Sequence, residues 1–128
     1  MPVFKSSLDM AGAACADNRA HMLALVARHD ELRDRSATAS GRAGPRFAKR
    51  GQLLPRERLG LLLDAGAPYL ELAACAGYLL DNPDPEKSTP GGGLLVGIGQ
   101  VSGARCVIVV DDSGIEAGAL QPMGLEKF

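Results

Sequence analysis

The amino-acid sequence predicts an α/β fold in which helices come first and the strands of a layered sheet follow. Apolar residues recur at helical spacing over residues 18–36, and a second helical pattern begins at Pro55. Residues 94–112, LLVGIGQVSGARCVIVVDD, form two β-rich runs around a turn. A chain of 128 residues holds one domain of this kind.

The N-terminal part is predicted to contain an arm, a helix and a connector. Residues 1–17 are rich in alanine and interrupted by aspartate, so we expect a disordered arm. Residues 36–51 are small, basic and glycine-containing, which is typical of a connector outside the core. The helix between them carries one apolar stripe, made of Met22, Leu25, Val26, His29 and Leu32.

The second helix has clear start and stop signals. Pro55 suits the first turn, where a missing N–H costs nothing, and Glu57 suits the positive end of a helix. Residues 64–66, Asp-Ala-Gly, end it. Alternation over residues 69–72 then indicates the first strand. The buried stripe of the helix is expected to be Leu59, Leu62 and Leu63.

The C-terminal third gives the strongest strand signals. The polar, proline-rich residues 81–93 predict an exposed, mobile loop, and a hairpin turn is expected at residues 101–104. Gly97 and Gly99 leave room on one face of the first strand for the close approach of another element. The second run, residues 106–110, is apolar throughout and predicts a strand in the middle of the sheet, buried on both faces.

Composition excludes several classes of protein. A net charge of −1 argues against nucleic-acid binding, and no apolar run reaches the ~20 residues that span a bilayer. No signal peptide is indicated. The three cysteines, Cys15, Cys75 and Cys106, form neither a CxxC pair nor a disulfide framework, so we expect reduced thiols in a cytoplasmic protein without a metal site.

Other motifs leave alternatives open. The glycine-rich stretch over residues 91–103 fails as a nucleotide loop, because a strand follows where a helix is required. Asp111 and Asp112 would point to opposite faces of a strand, so Asp112 is expected to be a turn or cap residue. One basic cluster suits either a coenzyme phosphate or a solvated helix face with salt bridges, and it comprises Arg42, Arg46, Lys49, Arg50, Arg56 and Arg58.

Two segments of the chain carry motifs in a fixed order. Residues 91–128 contain a GIG-V-x-G hairpin, an apolar strand ending in Asp-Asp, and the helix entry P-x-x-x-x-K. Residues 48–78 contain a preceding G-x-L-x-x-R-E-R segment, whose matching residues are Gly51, Leu53, Arg56, Glu57, Arg58, Leu62, Leu63, Asp64, Gly66, Tyr69, Leu70, Glu71 and Leu72. In this order the segments resemble the carboxyltransferase (β) subunits of biotin-dependent acyl-CoA carboxylases, of the propionyl-, methylcrotonyl- and geranyl-CoA type, whose signature has a strand ending in N-D or D-D, a glycine pair and the same helix entry.

The resemblance implies a fold, a reaction and partners. The family's N-terminal domain has a crotonase (ClpP)-like fold and carries the acyl-CoA, so residues 18–128 would be the opening part of such a domain. Carboxylate moves from carboxybiotin to an acyl-CoA enolate. Backbone N–H groups hold this enolate, and they stabilise its negative charge well because their positions are fixed before the reaction. Biotin is carried by a partner biotin carboxylase/biotin carrier (α) subunit, and the β subunits form homo-oligomers.

The resemblance also suggests site residues. Gly118 and Ala119 would face the thioester or coenzyme, and the alternative for Gly118 is a turn glycine without a ligand. Arg46, Lys49 and Arg50 would meet the coenzyme A phosphates. The family's oxyanion-hole segment lies beyond residue 128, so no catalytic residue is assigned. No directly bound cofactor is expected, and the zinc ribbon of the bacterial multi-subunit branch is absent from the sequence.

Two features depart from the family pattern. Many relatives have Lys-Gly-Gly after the strand, where this chain has Glu116, Ala117 and Gly118, which removes a positive charge. Family subunits are also far longer, so we expect an N-terminal fragment that is inactive alone. The alternative is a non-catalytic module that binds coenzyme A or docks on other subunits.

Overall fold

A computed structural model of the chain describes residues 6–119 and 121–127. Helices and strands follow the predicted order, with helices first and a hairpin late in the chain. The elements are α1 (Ala13–Gly41), α2 (Gly44–Lys49), α3 (Pro55–Leu62), β1 (Leu70–Leu72), β2 (Leu94–Val101), β3 (Ala104–Asp111), α4 (Ser113–Glu116) and α5 (Pro122–Glu126).

The chain divides into two units, residues 1–31 and residues 32–128. In the first unit, α1 begins at Ala13, five residues before the predicted start, so residues 13–17 are helical and do not belong to the predicted disordered arm. Alanine is the best helix former, which explains the earlier start. The expected apolar stripe is not buried, since Met22 is 59% exposed and Leu25 is 51% exposed.

In the second unit, the predicted connector over residues 36–51 is wrong. The helix α1 continues to Gly41, and α2 follows with a proline in its first turn. Ser36 and Ser40 are buried, with 4% and 1% of their surfaces exposed. Their short side chains look like connector residues in a sequence, but both hydroxyls have hydrogen-bond partners inside the fold.

Helix α3 has the predicted start. Glu57 Oε2 accepts a hydrogen bond from the Leu54 N–H at 2.7 Å, which satisfies a helix-end donor. Leu59 is buried and Leu63 packs against the core, as predicted, but Leu62 is 50% exposed, so its place in the buried stripe is wrong. The helix ends at Leu62, and Leu63 is already extended.

The three strands form one antiparallel sheet in the order β1-β2-β3. The hairpin between β2 and β3 is confirmed, and its turn residues Ser102 and Gly103 both have positive φ, as a two-residue turn requires. Asp64 holds this turn, because its two carboxylate oxygens accept the N–H groups of Ser102 and Gly103, each at 2.7 Å.

The position predicted for the second apolar run is wrong. Among the described residues β2 is the central strand, and β3 pairs with β2 alone. Ile108 of β3 is buried, whereas Val107 is 70% exposed and Val109 is 43% exposed. An apolar run indicates that neither face is polar, but it does not identify which neighbours cover each face.

The loop over residues 81–93 makes more contacts with the rest of the fold than the sequence predicts. Ser88 and Pro90 are buried, and so are the three glycines at residues 91–93, hereafter the glycine triplet. Ser88 Oγ donates to Asp81 and accepts from the Leu79 N–H. The predicted exposure therefore holds for residues 81–87 and not for the second half of the loop.

A small apolar core lies between α3 and the sheet. Leu59, Leu95 and Ile108 form it, each buried side chain being worth about 1.5–3 kcal/mol. Tyr69 packs against this cluster and lies directly over Gly97, whose missing Cβ makes the contact possible. This confirms the room predicted at Gly97. Burial raises the pKa of the Tyr69 phenol, and the Glu71 carboxylate adds to that effect.

We expect Gly97→Ala to destabilise the fold by about 1–3 kcal/mol, because a Cβ would overlap the Tyr69 ring. Gly60→Ala is the matched control. Gly60 lies within α3 with open space around the added methyl group, so alanine should stabilise by about 0.5–1 kcal/mol. Urea unfolding of both variants measures the difference, and equal effects would contradict the packing that we describe.

Candidate functional site

A buried carboxylate lies where β3 ends. Asp112 is 2% exposed, and its Oδ1 accepts a hydrogen bond from Ser40 Oγ at 2.5 Å. Arg56 Nε donates to Oδ2 at 3.3 Å. The same guanidinium reaches Ser36 Oγ at 3.1 Å and Glu71 at 4.0 Å. Asp112 occupies the N-cap position of α4, as expected of a turn or cap residue, but its side chain makes no cap hydrogen bond and lies instead at the centre of a polar network.

Helix α4 follows Asp112, and residues 116–119 at its end form a short exposed stretch, hereafter the Gly118 loop. Ala117 and Gly118 both have left-handed backbone conformations, with φ of 55° and 92°. Gly118 tolerates this conformation because it has no Cβ. The Ala119 N–H donates to the Glu116 carbonyl at 3.0 Å, and Gln121 Nε2 donates to the Glu116 carboxylate at 2.9 Å. Gly118 is exposed, and its N–H has no acceptor within the described part of the chain.

A basic cleft of about 640 Å³ reaches this loop. Arg46, Arg50 and Arg58 supply three guanidinium groups to its wall, and Ala117 brings it to the residue before Gly118. Arg46 Nη2 donates to the Ser113 carbonyl at 2.9 Å, and its guanidinium carbon lies 5.5 Å from the centre of the Phe47 ring. The other lining residues are Phe47, Gly51, Gln52, Leu53 and Ser113.

The structure separates the predicted basic cluster into groups. Arg46 and Arg50 line the cleft, whereas Lys49 is exposed and is not among its lining residues. Arg56 belongs to the Asp112 network instead. Arg42 lines a neighbouring cleft of about 460 Å³, which shares Arg46 with the first. Phe47 and Ser113 were not predicted as site residues, because neither is charged and their proximity depends on tertiary structure.

Neither a membrane-spanning helix nor a metal site is found among the described residues. No described helix combines the length and apolar character that crossing a membrane requires. Over residues 6–119 and 121–127, no three His, Cys, Asp or Glu side chains are grouped closely enough to hold a metal ion.

The chain belongs to the carboxyl transferase domain family, which it matches over residues 46–128. This confirms the family that the two sequence segments resemble. The match covers α2 to α5 and therefore includes the basic cleft and the Gly118 loop.

Two individual relatives show which kind of carboxylase this chain is similar to. The chain is 43% identical over 101 residues to a biotin-dependent 3-methylcrotonyl-coenzyme A carboxylase beta1 subunit of Mycobacterium tuberculosis, covering 76% of this chain and 18% of that one. It is 35% identical over 126 residues to a probable mitochondrial methylcrotonoyl-CoA carboxylase beta chain of Drosophila melanogaster, covering 98% of this chain and 21% of the relative.

A solved structure supports the fold. The crystal structure of the geranyl-CoA carboxylase β subunit of P. aeruginosa superposes with a TM-score of 0.86 at 47% identity, over 98% of this chain and 23% of that one. The predicted fold, the opening part of a crotonase-like carboxyltransferase domain, is confirmed. The chain spans about a fifth of the length of these relatives.

We expect Asp112→Ala to destabilise the fold by about 3 kcal/mol, because it leaves the largely buried Arg56 without its nearest carboxylate. The neighbouring Asp111 is exposed, so Asp111→Ala should change stability by no more than about 0.5 kcal/mol. Thermal or urea unfolding of the two variants tests the network. Similar losses at both positions would show that Asp112 has no special role.

Proposed function

We propose that residues 18–128 form part of the acyl-CoA-binding domain of a biotin-dependent acyl-CoA carboxylase. The single observation that carries the proposal is a free Gly118 N–H beside a cleft with three arginines. It occurs in a chain of the carboxyl transferase domain family, whose named relatives act on methylcrotonyl-CoA or geranyl-CoA. The whole enzyme would move carboxylate from carboxybiotin to the acyl-CoA.

The Gly118 N–H suits the thioester end of the substrate. Removal of a proton next to a thioester places negative charge on the carbonyl oxygen, and a fixed backbone N–H stabilises that charge without reorganising. Loss of one such donor typically costs 10²–10³ in rate, or about 2.7–4 kcal/mol. Gly118 and Ala119 are both exposed to solvent, so a ligand can reach them.

The arginine cleft suits the phosphates of coenzyme A. Guanidinium groups bind phosphate through two parallel hydrogen bonds, and Arg46 is held in place by Ser113 and Phe47. Because the cleft extends to Ala117, one ligand can contact the arginines and the Gly118 loop together. Lys49, exposed at the end of α2, would add long-range attraction and no direct contact.

Biotin would reach this chain on a partner α subunit and would supply the carboxylate. We assign no residue of the chain to biotin itself, since both described features suit the acyl-CoA. A homo-oligomer of β subunits and a cytoplasmic location complete the proposal.

One observation favours the alternative, a subunit-interaction module. Within the first unit, α1 exposes about half of each of four apolar side chains, Met22, Leu23, Leu25 and Val26. Exposed apolar groups in a row are typical of protein contacts.

Calorimetric titration with coenzyme A tests the proposed cleft. The unmodified chain should bind, and the double variant Arg46→Gln/Arg50→Gln should bind at least tenfold more weakly, since a hydrogen bond to a charged group is worth about 1.5–3 kcal/mol. Dephospho-coenzyme A shows which phosphate is involved. Arg105→Gln, on the exposed surface of β3, is the matched control and should leave the affinity unchanged. No heat at millimolar coenzyme A would favour the interaction module.

Fixation of labelled bicarbonate tests how much of the activity lies in these residues. We expect no acyl-CoA-dependent incorporation when the 128-residue chain is mixed with a biotin-bearing α subunit. The Gly118 N–H is a single donor, and enolate stabilisation by the family uses pairs. Turnover by the chain would contradict this expectation and would place the complete site within it.

A further inference from the structure

We infer that Lys127 is a positioning residue, whose side chain fixes the glycine triplet against α5 and thereby holds the loop that presents the Gly118 N–H. Lys127 lies in neither the arginine cleft nor the Asp112 network. The inference about position stands on contacts alone. Its consequence for substrate binding rests on the proposed function.

Lys127 reaches the backbone of the first glycine of the triplet and of the residue that follows the triplet. Its Nζ donates to the Gly91 carbonyl at 3.1 Å and to the Leu94 carbonyl at 2.5 Å. The residue is half-buried, and burial lowers the pKa of its ammonium group, an effect that Glu71 opposes and Arg56 reinforces. Two of its three donors are therefore committed to the backbone, which does not suit a lysine that binds a phosphate.

The triplet and α5 are in direct backbone contact. A Cβ on Gly92 would lie 2.7 Å from the Gly124 nitrogen, and a Cβ on Gly124 would collide with the Gly92 carbonyl. Only glycine at both positions allows this approach. Lys127, three residues after Gly124, connects the end of α5 to the same stretch of chain.

The triplet also contacts both ends of the Gly118 loop. The Gly93 carbonyl accepts the Asp112 N–H at 2.9 Å, just before α4, the helix that leads into the loop. A Cβ on Gly93 would lie 3.7 Å from the Ala119 carbonyl, so the residue after Gly118 lies against the triplet. Movement of the triplet would therefore move both flanks of Gly118.

Backbone order in the ¹⁵N-labelled 128-residue chain tests the inference. In Lys127→Met, order parameters at Gly118 and Ala119 should fall from about 0.85 to below about 0.6, whereas those of the hairpin turn at Ser102 and Gly103 should not change. Lys127→Arg, which keeps the charge and the donors, should restore most of the order. Lys87→Met is the matched control, since Lys87 is exposed and pairs with Asp84.

If Lys127→Met does not fold, Lys127→Gln replaces it, because the amide still donates but cannot reach both carbonyls. Unchanged order at Gly118 in the folded variants would overturn the inference, and so would an equal loss throughout the hairpin. Coenzyme A titration of the same variants tests the arginine cleft separately, because Lys127 does not line it. The variants should bind coenzyme A within about twofold of the unmodified chain. If the unmodified chain does not bind coenzyme A, that result counts against the proposed function and not against the role of Lys127.

Discussion

The carboxylate of Asp112 lies buried where β3 ends, and a buried charge is tolerated only when it has partners. Ser40 comes from α1 and Arg56 from α3, so one side chain joins two helices to the end of the sheet. Arg56 extends the link to Ser36 and to Glu71 of β1. Displacing any of these elements would leave a charge or a hydroxyl buried without a partner. Helix α4 begins at the next residue, Ser113, which lines the cleft, and the Gly118 loop follows α4, so this network also positions the site.

Close backbone contact is the second constraint. Gly97 admits Tyr69 to the sheet, and the glycine triplet admits α5. The contact between the triplet and α5 involves backbone alone and needs no large side chain, which suits a chain with 4% aromatic residues. The cost is that Gly97 and Gly92 have almost no tolerance for an added methyl group. Two polar side chains, Asp64 at the hairpin turn and Lys127 at the triplet, also hydrogen-bond to the backbone of these glycine-containing segments.

Local signals in the sequence predicted the elements that are determined locally. The start of α3 follows from Pro55 and Glu57, and the hairpin follows from its two-residue turn. The connector over residues 36–51 and the role of Asp112 were missed because Ser40 and Asp112 are 72 residues apart in sequence. No local pattern can show that two such residues meet. Arg46 and Arg50 are only four residues apart at the end of α2 and were predicted together, whereas their closeness to Ser113 was not.

Glu116 lies where the family resemblance places a lysine, and its carboxylate has a partner in the structure. If the Gly118 loop binds an enolate, as we propose, an acidic side chain beside it would oppose binding, because like charges repel. Gln121 Nε2 donates to the Glu116 carboxylate at 2.9 Å, which partly satisfies it. Arg46 of α2 donates to the Ser113 carbonyl at the start of the same short helix. Under the proposed function, Arg46 would therefore supply a positive charge near the loop.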